Sequence, residues 1–267
     1  FWVIENRVRS PLIPSEFFRN GEITAVLAAR MLVCSGWFTM IFILGLYYQS
    51  VKGMDPFRSG LWFLPLSLTY GLISPYGGRI IDRFSFRRPV LAGLASYIVA
   101  FGLFALVTVS TPGWFLILPS LFFGLGCALF SPGMISEILE ITPEEKHGTA
   151  SGVYYMLTLV GGTLGIAITG YLLGREGGNR LLGYLASADL RLDAGQVSAL
   201  RGLLSGTEAA RAQLQGLAGP ARETVLAAAS RAFVDGFRSS ALISLACTAG
   251  ALFLVLSVRK RKHRGRT

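Results

Sequence analysis

The densest chemistry in this sequence lies in one charged stretch, Gly77-Gly78-Arg79-Ile80-Ile81-Asp82-Arg83-Phe84-Ser85-Phe86-Arg87-Arg88-Pro89, wedged between two long apolar runs. One carboxylate among four arginines offers neither a nucleophile and base nor a metal site. It offers charge-assisted hydrogen bonding: Asp82 at a helix end can accept hydrogen bonds or pair with arginine in a partly dehydrated place. Gly78 would let helices approach closely beside it. Between two apolar runs the stretch reads as a tight turn at a membrane face, and its arginines mark that face as cytoplasmic.

Arg30 is the one charge more than two residues inside a predicted span. An arginine at membrane depth is by default a functional-site hypothesis. Arg30 also lies less than two turns from the cytoplasmic end of that span, so the favoured expectation is that it snorkels to the interface.

Little else suggests catalysis. Cys34, Cys127 and Cys247 are odd in number and each falls in an apolar run, so they are expected to be small packing residues. His147 and His263 have no ligand-like spacing to Cys, Asp or Glu, so no metal is expected. Asp82, Glu137, Glu140, Glu144 and Glu145 fall at membrane edges, where solvated charge is expected. Without a nucleophile, base or metal set, neither an enzyme nor a cofactor is expected.

The elements that must position these residues follow from composition. The chain has 267 residues, 52% hydrophobic and 15% charged, with a mean hydropathy of +0.54. That balance describes an integral membrane protein. About 20 residues are needed to cross roughly 30 Å of hydrocarbon, and six runs qualify: 24–48, 58–77, 89–110, 114–136, 149–174 and 237–258. Residues 1–23 read as a cytoplasmic linker after a missing upstream span. Residues 175–236, polar and rich in Ala and Arg, read as an extracytoplasmic helical loop, and 259–267 as a basic cytoplasmic tail.

The net charge of +10 sits in loops and in that tail. No nucleic-acid role is expected of it; contact with anionic membrane lipid is.

Local signals fill in the spans. Pro65 is expected to bend span two so that it lines a cavity. Tyr47, Tyr48 and Trp62 suit an interfacial aromatic belt. Gly93 and Gly102 in span three, Gly124 and Gly126 in span four, and Gly161, Gly162 and Gly165 in span five are expected packing points. Thr142 with Glu145 reads as an N-cap pair around Pro143. Asp193 with Gln196, Thr207 and Pro220 read as helix starts in the polar loop. Trp37, Phe38, Met40 and Tyr155, with Arg30, are the candidate cavity lining.

Three stretches then point the same way. The spacing Gly78-x-x-x-Asp82-Arg83-x-x-x-Arg87-Arg88 resembles the signature loop of the major facilitator superfamily, with Ser85 replacing the family's second glycine. The hairpin from Tyr47 and Gln49 through Gly53, Pro56 and Gly60 to Leu64-Pro65 resembles a second family segment. Gly148 to Gly152 with Gly161 to Ala167 resembles a third. The run from Pro11 to Asn20 is similar to the linker before the last six helices of fourteen-span drug:proton antiporters.

The resemblance implies an all-α integral membrane fold: a six-transmembrane-helix bundle, one half of such a transporter. It implies a missing N-terminal bundle as partner, and proton-coupled efflux of small hydrophobic or cationic compounds by alternating access, with Gly78, Asp82, Arg83, Arg87 and Arg88 as a conformational latch. An exporter of a lipid or secreted metabolite, and a non-transporting scaffold or sensor, remain as alternatives.

Overall fold

The structure, a computed structural model, describes residues 20–84, 87–187 and 219–257. All regular structure among them is helical. In lipid this is the economical solution for a single segment, because a helix satisfies its own backbone hydrogen bonds.

The elements are α1 (Gly21–Leu46), α2 (Pro56–Leu61), α3 (Leu64–Phe84), α4 (Arg87–Phe104), α5 (Ile117–Glu140), α6 (His147–Leu172), α7 (Gly178–Ser187) and α8 (Gly219–Ser257). Five helical segments are long and apolar enough to cross a membrane: Gly21–Val51, Arg87–Phe104, Gly113–Glu140, Glu144–Leu185 and Arg222–Ser257. Helix α3 falls outside that set. It carries Ser67, Thr69, Ser74 and Arg79, and it packs along α5.

Several boundaries differ from the sequence reading. The second predicted run is split: α2 starts on Asp55, whose side chain accepts from the Arg58 N–H at 3.0 Å, and α3 starts only at Leu64. Pro65 therefore sits in the first turn of α3, where its missing N–H is not needed. The proline inside that helix is Pro75. Helix α4 stops at Phe104, and the chain turns through Thr108, whose N–H donates to Thr111 Oγ1 at 2.8 Å.

At the other end, α6 continues through a wide π-helical turn, Leu173–Gly177, into α7, and α8 already begins at Gly219. Both flanks of the predicted polar loop are thus helical extensions. Tyr184 on α7 donates to Asp235 on α8 at 2.8 Å, with Arg180 3.8 Å from the same carboxylate oxygen. Asp193, Gln196, Thr207, the linker residues before Asn20 and the basic tail lie outside the described residues.

The core is aromatic. Tyr97, Phe101 and Phe104 of α4 meet Phe123 of α5 with ring centroids 5.4 to 6.3 Å apart. Phe237 of α8 joins from the other side, 5.9 Å from Phe104 and 5.4 Å from Tyr47. Tyr47 and Tyr48 are fully buried in this cluster rather than set in an interfacial belt. Polar side chains along α8 return their protons to the helix itself: Ser240, Ser244 and Thr248 each donate to the carbonyl four residues back, at 2.8 Å. Unpartnered donors are costly away from water.

Two arginines cap helix ends across the bundle. Arg87, opening α4, donates to Leu256 O near the end of α8 at 3.0 Å, and Arg238 on α8 donates to Ala105 O just past the end of α4 at 2.9 Å. A cation at a helix C-terminus meets both the unpaired carbonyls and the negative end of the dipole. Thr142 works at a C-terminus as well. Its hydroxyl donates to Ile138 O at 2.6 Å, and the short 3-10 turn after Pro143 has no side-chain cap, so the expected N-cap pair with Glu145 is not formed.

Candidate functional site

A cavity of about 810 Å³ opens between α1, α3, α5 and α6. Helical spacing explains how each wall is presented. On α1, Arg30, Cys34, Trp37 and Ile41 recur at intervals of three or four and so share one face. On α5, Cys127, Ser131 and Ile135 do the same, as do Tyr154 and Thr158 on α6. Helix α3 contributes Leu66, Ser67 and Tyr70. The lining is largely apolar, and Arg30 is its single charged member.

Arg30 is not snorkelled. It is only 9% exposed, and its guanidinium is fixed by two hydroxyls. Nε donates to Thr158 Oγ1 and Nη1 to Ser131 Oγ, both at 3.0 Å. Thr158 is free to accept because its own proton goes to Tyr154 O at 2.8 Å. The guanidinium also lies 4.8 Å from the Tyr154 ring centroid and 5.9 Å from that of Phe130, and such cation–π contacts strengthen when desolvated. These partners lie inward across the bundle, which is why the side chain turns to them and not along α1 to the interface.

Of the other lining candidates, Trp37, Phe38 and Tyr155 border the cavity. Tyr155 stands at its open side, 58% exposed. Met40 does not line it: at 1% exposure it faces the core. Cys34 and Cys127, expected to be packing residues, both lie on the cavity wall, and the Cys127 thiol is 3.9 Å from Ser131 Oγ. Reasoning from sequence missed Ser131, Tyr154 and Thr158. The available signal was the four-residue spacing of polar or aromatic side chains on otherwise apolar spans.

The glycines lie where helices cross. A Cβ on Gly161 would come within 2.5 Å of Met31 O, one on Gly162 within 2.6 Å of the Phe38 ring, and one on Gly165 would overlap the Ser35 backbone. On α5, a Cβ at Gly124 would overlap Leu66 O of α3, and one at Gly126 would lie 2.9 Å from the Tyr97 ring. Gly93 faces Phe130 across the α4–α5 contact, whereas Gly102, an expected packing point, has nothing within 4 Å of a Cβ position.

The charged stretch is mostly helix. Helix α3 runs through Asp82 and Arg83 to Phe84, and α4 resumes at Arg87. Gly78 faces open space, and the close approach belongs to its neighbour Gly77, where a Cβ would lie 2.7 Å from Ala128 O. Arg87 makes the helix cap described above; Arg88 is exposed and has interactions of its own. The side chains of Asp82 and Arg83 lie outside the described residues. Glu137, expected to be solvated, is 5% exposed. No cluster of three or more His, Cys, Asp or Glu that could hold a metal occurs among the described residues.

The described helices thus form a bundle with a cavity between four of them, and comparison supplies the family. The family model for the Major Facilitator Superfamily matches residues 5–188. The chain belongs to that superfamily, a family of transporters and not enzymes.

It is 30% identical over 71% of its length to the tetracenomycin C resistance and export protein of Streptomyces glaucescens, covering 35% of that protein. It is 30% identical over 63% of its length to the methylenomycin A resistance protein of Streptomyces coelicolor, covering 36% of it. The quinolone resistance protein NorB of Staphylococcus aureus is 28% identical over 64% of this chain, with 37% of NorB covered. The chain thus spans about a third of the length of these relatives. A solved bacterial homologue of the human drug peptide transporters PepT1 and PepT2 aligns with 86% of this chain and 51% of its own, at TM-score 0.50 and 22% identity, which shows the fold.

Proposed function

We propose that this chain forms one wall of a proton-coupled exporter of small hydrophobic compounds, drugs among them, in the cell membrane. The observation that carries the reading is the apolar cavity of about 810 Å³ between α1, α3, α5 and α6, in a chain related to proteins named for drug resistance and export. A second six-helix bundle would supply the facing wall, and rocking of the two about the cavity would give alternating access. The proton-carrying carboxylate would come from that partner bundle, since the cavity lining described here holds none. The cytoplasmic face would carry the 77–89 stretch and the basic C-terminus, by the positive-inside bias. An exporter of a secreted metabolite is the second reading, favoured by the relative named for both resistance and export.

The test is efflux of a fluorescent hydrophobic dye from cells expressing the native protein, with and without a protonophore. Faster efflux that stops when the proton gradient collapses supports the proposal; efflux equal to that of cells lacking the protein overturns it. In this reading Gly78, Asp82, Arg83, Arg87 and Arg88 form a latch between inward- and outward-open states. Asp82→Asn should then change both transport and a reporter of the inward-open population. If neither changes, the latch assignment is wrong.

A further inference from the structure

We infer that the cavity selects organic anions: compounds with an apolar, ring-sized body and one acidic group, bound through Arg30. The inference rests on the cavity being the substrate site proposed above, and it names the substrate class.

The argument begins with charge balance. Arg30 is a buried cation. The residues lining its cavity include no Asp or Glu, and among the described residues its hydrogen bonds run only to the neutral hydroxyls of Thr158 and Ser131. A desolvated charge without a counter-charge is costly, so such residues pair with an opposite charge or with substrate.

Geometry shows where the counter-charge would sit. Nε and Nη1 are engaged by the two hydroxyls, which fixes the plane of the guanidinium. Nη2 has no partner among the described residues, and Arg30 borders the cavity. Guanidinium N–H groups in a fixed orientation are well suited to a carboxylate, sulfonate or phosphate oxygen. The same cavity is also lined by Trp37, Phe38, Tyr70 and Tyr155, which suit the faces of an apolar body. A cationic compound would face Arg30 with no compensating carboxylate on this wall.

The experiment uses the native protein in phosphatidylcholine nanodiscs and three aromatic probes. Anilinonaphthalene sulfonate is the anion, phenylnaphthylamine its neutral counterpart, and ethidium the cation. Binding is read as the fluorescence change above that of protein-free discs. The anion should bind more tightly than the other two. Arg30→Gln should weaken anion binding by about tenfold or more, the range of a charge-assisted hydrogen bond, and leave the neutral probe close to its original affinity. Unchanged neutral binding also reports that the cavity has folded. Should Arg30→Gln fail to fold, Arg30→Lys keeps the charge without the fork and should retain anion preference at reduced affinity.

Equal loss of both probes, or no loss of either, overturns the inference and leaves Arg30 paired with protein or purely structural. Displacement of the anion by added phosphatidylglycerol would assign the site to lipid headgroups, and so overturns the small-compound reading. The outcome is separable from that of the efflux assay. Anion-selective binding without proton-driven efflux would retain this inference and sink the transport proposal, and efflux of neutral dye without anion selectivity would do the reverse.

Discussion

Along the contact between α1 and α6, Arg30 and Thr158 meet through a side-chain hydrogen bond. One residue further on α1, Met31 meets Gly161, and a turn later Ser35 meets Gly165, with no glycine side chain between the backbones. The pairings advance together along both helices, ending at Thr39 and Thr169, whose hydroxyls are 3.3 Å apart. The two helices therefore run parallel in one register. The glycine segment brings backbones together by removing side chains. The arginine segment places side chains across the contact, the Arg30 guanidinium reaching the neutral hydroxyls of Thr158 and Ser131 without a counter-charge, and these residues border the cavity. In lipid, close packing substitutes for a hydrophobic effect between helices, so the glycine seam is what allows the same pair to tolerate a cavity and a buried cation one turn away.

The largest test of this contrast is Gly165→Leu. Its side chain would have to enter the Ser35 backbone, and overpacking of that kind costs about 3 kcal/mol, near the upper end of the usual range. The yield of monodisperse protein and its Tm should both fall sharply. Gly170→Leu on the same helix meets nothing within 4 Å and should leave Tm unchanged. If the two variants behave alike, the seam is not what holds α6 to α1.

A smaller effect is expected at the arginine segment. Thr158→Val should lower stability by about 1 kcal/mol, a typical ceiling for side-chain hydrogen bonds in membranes. The cost should largely disappear in an Arg30→Gln background, because both changes delete the same bond. A double-mutant cycle in detergent reads the coupling directly; additive effects would mean that Thr158 stabilises the helix independently of Arg30.

The smallest effect separates adjacent glycines at the foot of α3. Gly77→Ala should lower Tm by forcing α3 from the Ala128 carbonyl, while Gly78→Ala, facing open space, should not. If Gly78→Ala slows transport at unchanged Tm, that glycine acts on a conformational change and not on packing.

Much of this molecule was legible in the order of its residues. Apolar runs gave the long helices, because a span must be uniformly greasy and internally hydrogen-bonded wherever it goes. The motif spacings, from Gly78 to Arg88 and from Gly148 to Ala167, gave the superfamily. Helix ends were less legible. Pro65, Thr142 and Phe104 show why, since each boundary depends on which backbone groups find partners and not on local hydropathy.

The role of Arg30 was beyond the sequence. Distance from a span end made snorkelling the reasonable expectation, and only the tertiary structure brought Ser131 and Thr158, 101 and 128 residues away, to its guanidinium. The same limit applies to Met40 and Gly78, whose types suited cavity and packing but whose directions were set by neighbours from other helices. The sequence determined which segments form the long helices and which family they belong to. The tertiary structure alone decided which face of each helix is buried, which glycines touch, and that one buried cation borders an apolar cavity. Periodicity fixes a side chain's angle about its own helix, whereas its partner depends on a register that long-range packing creates.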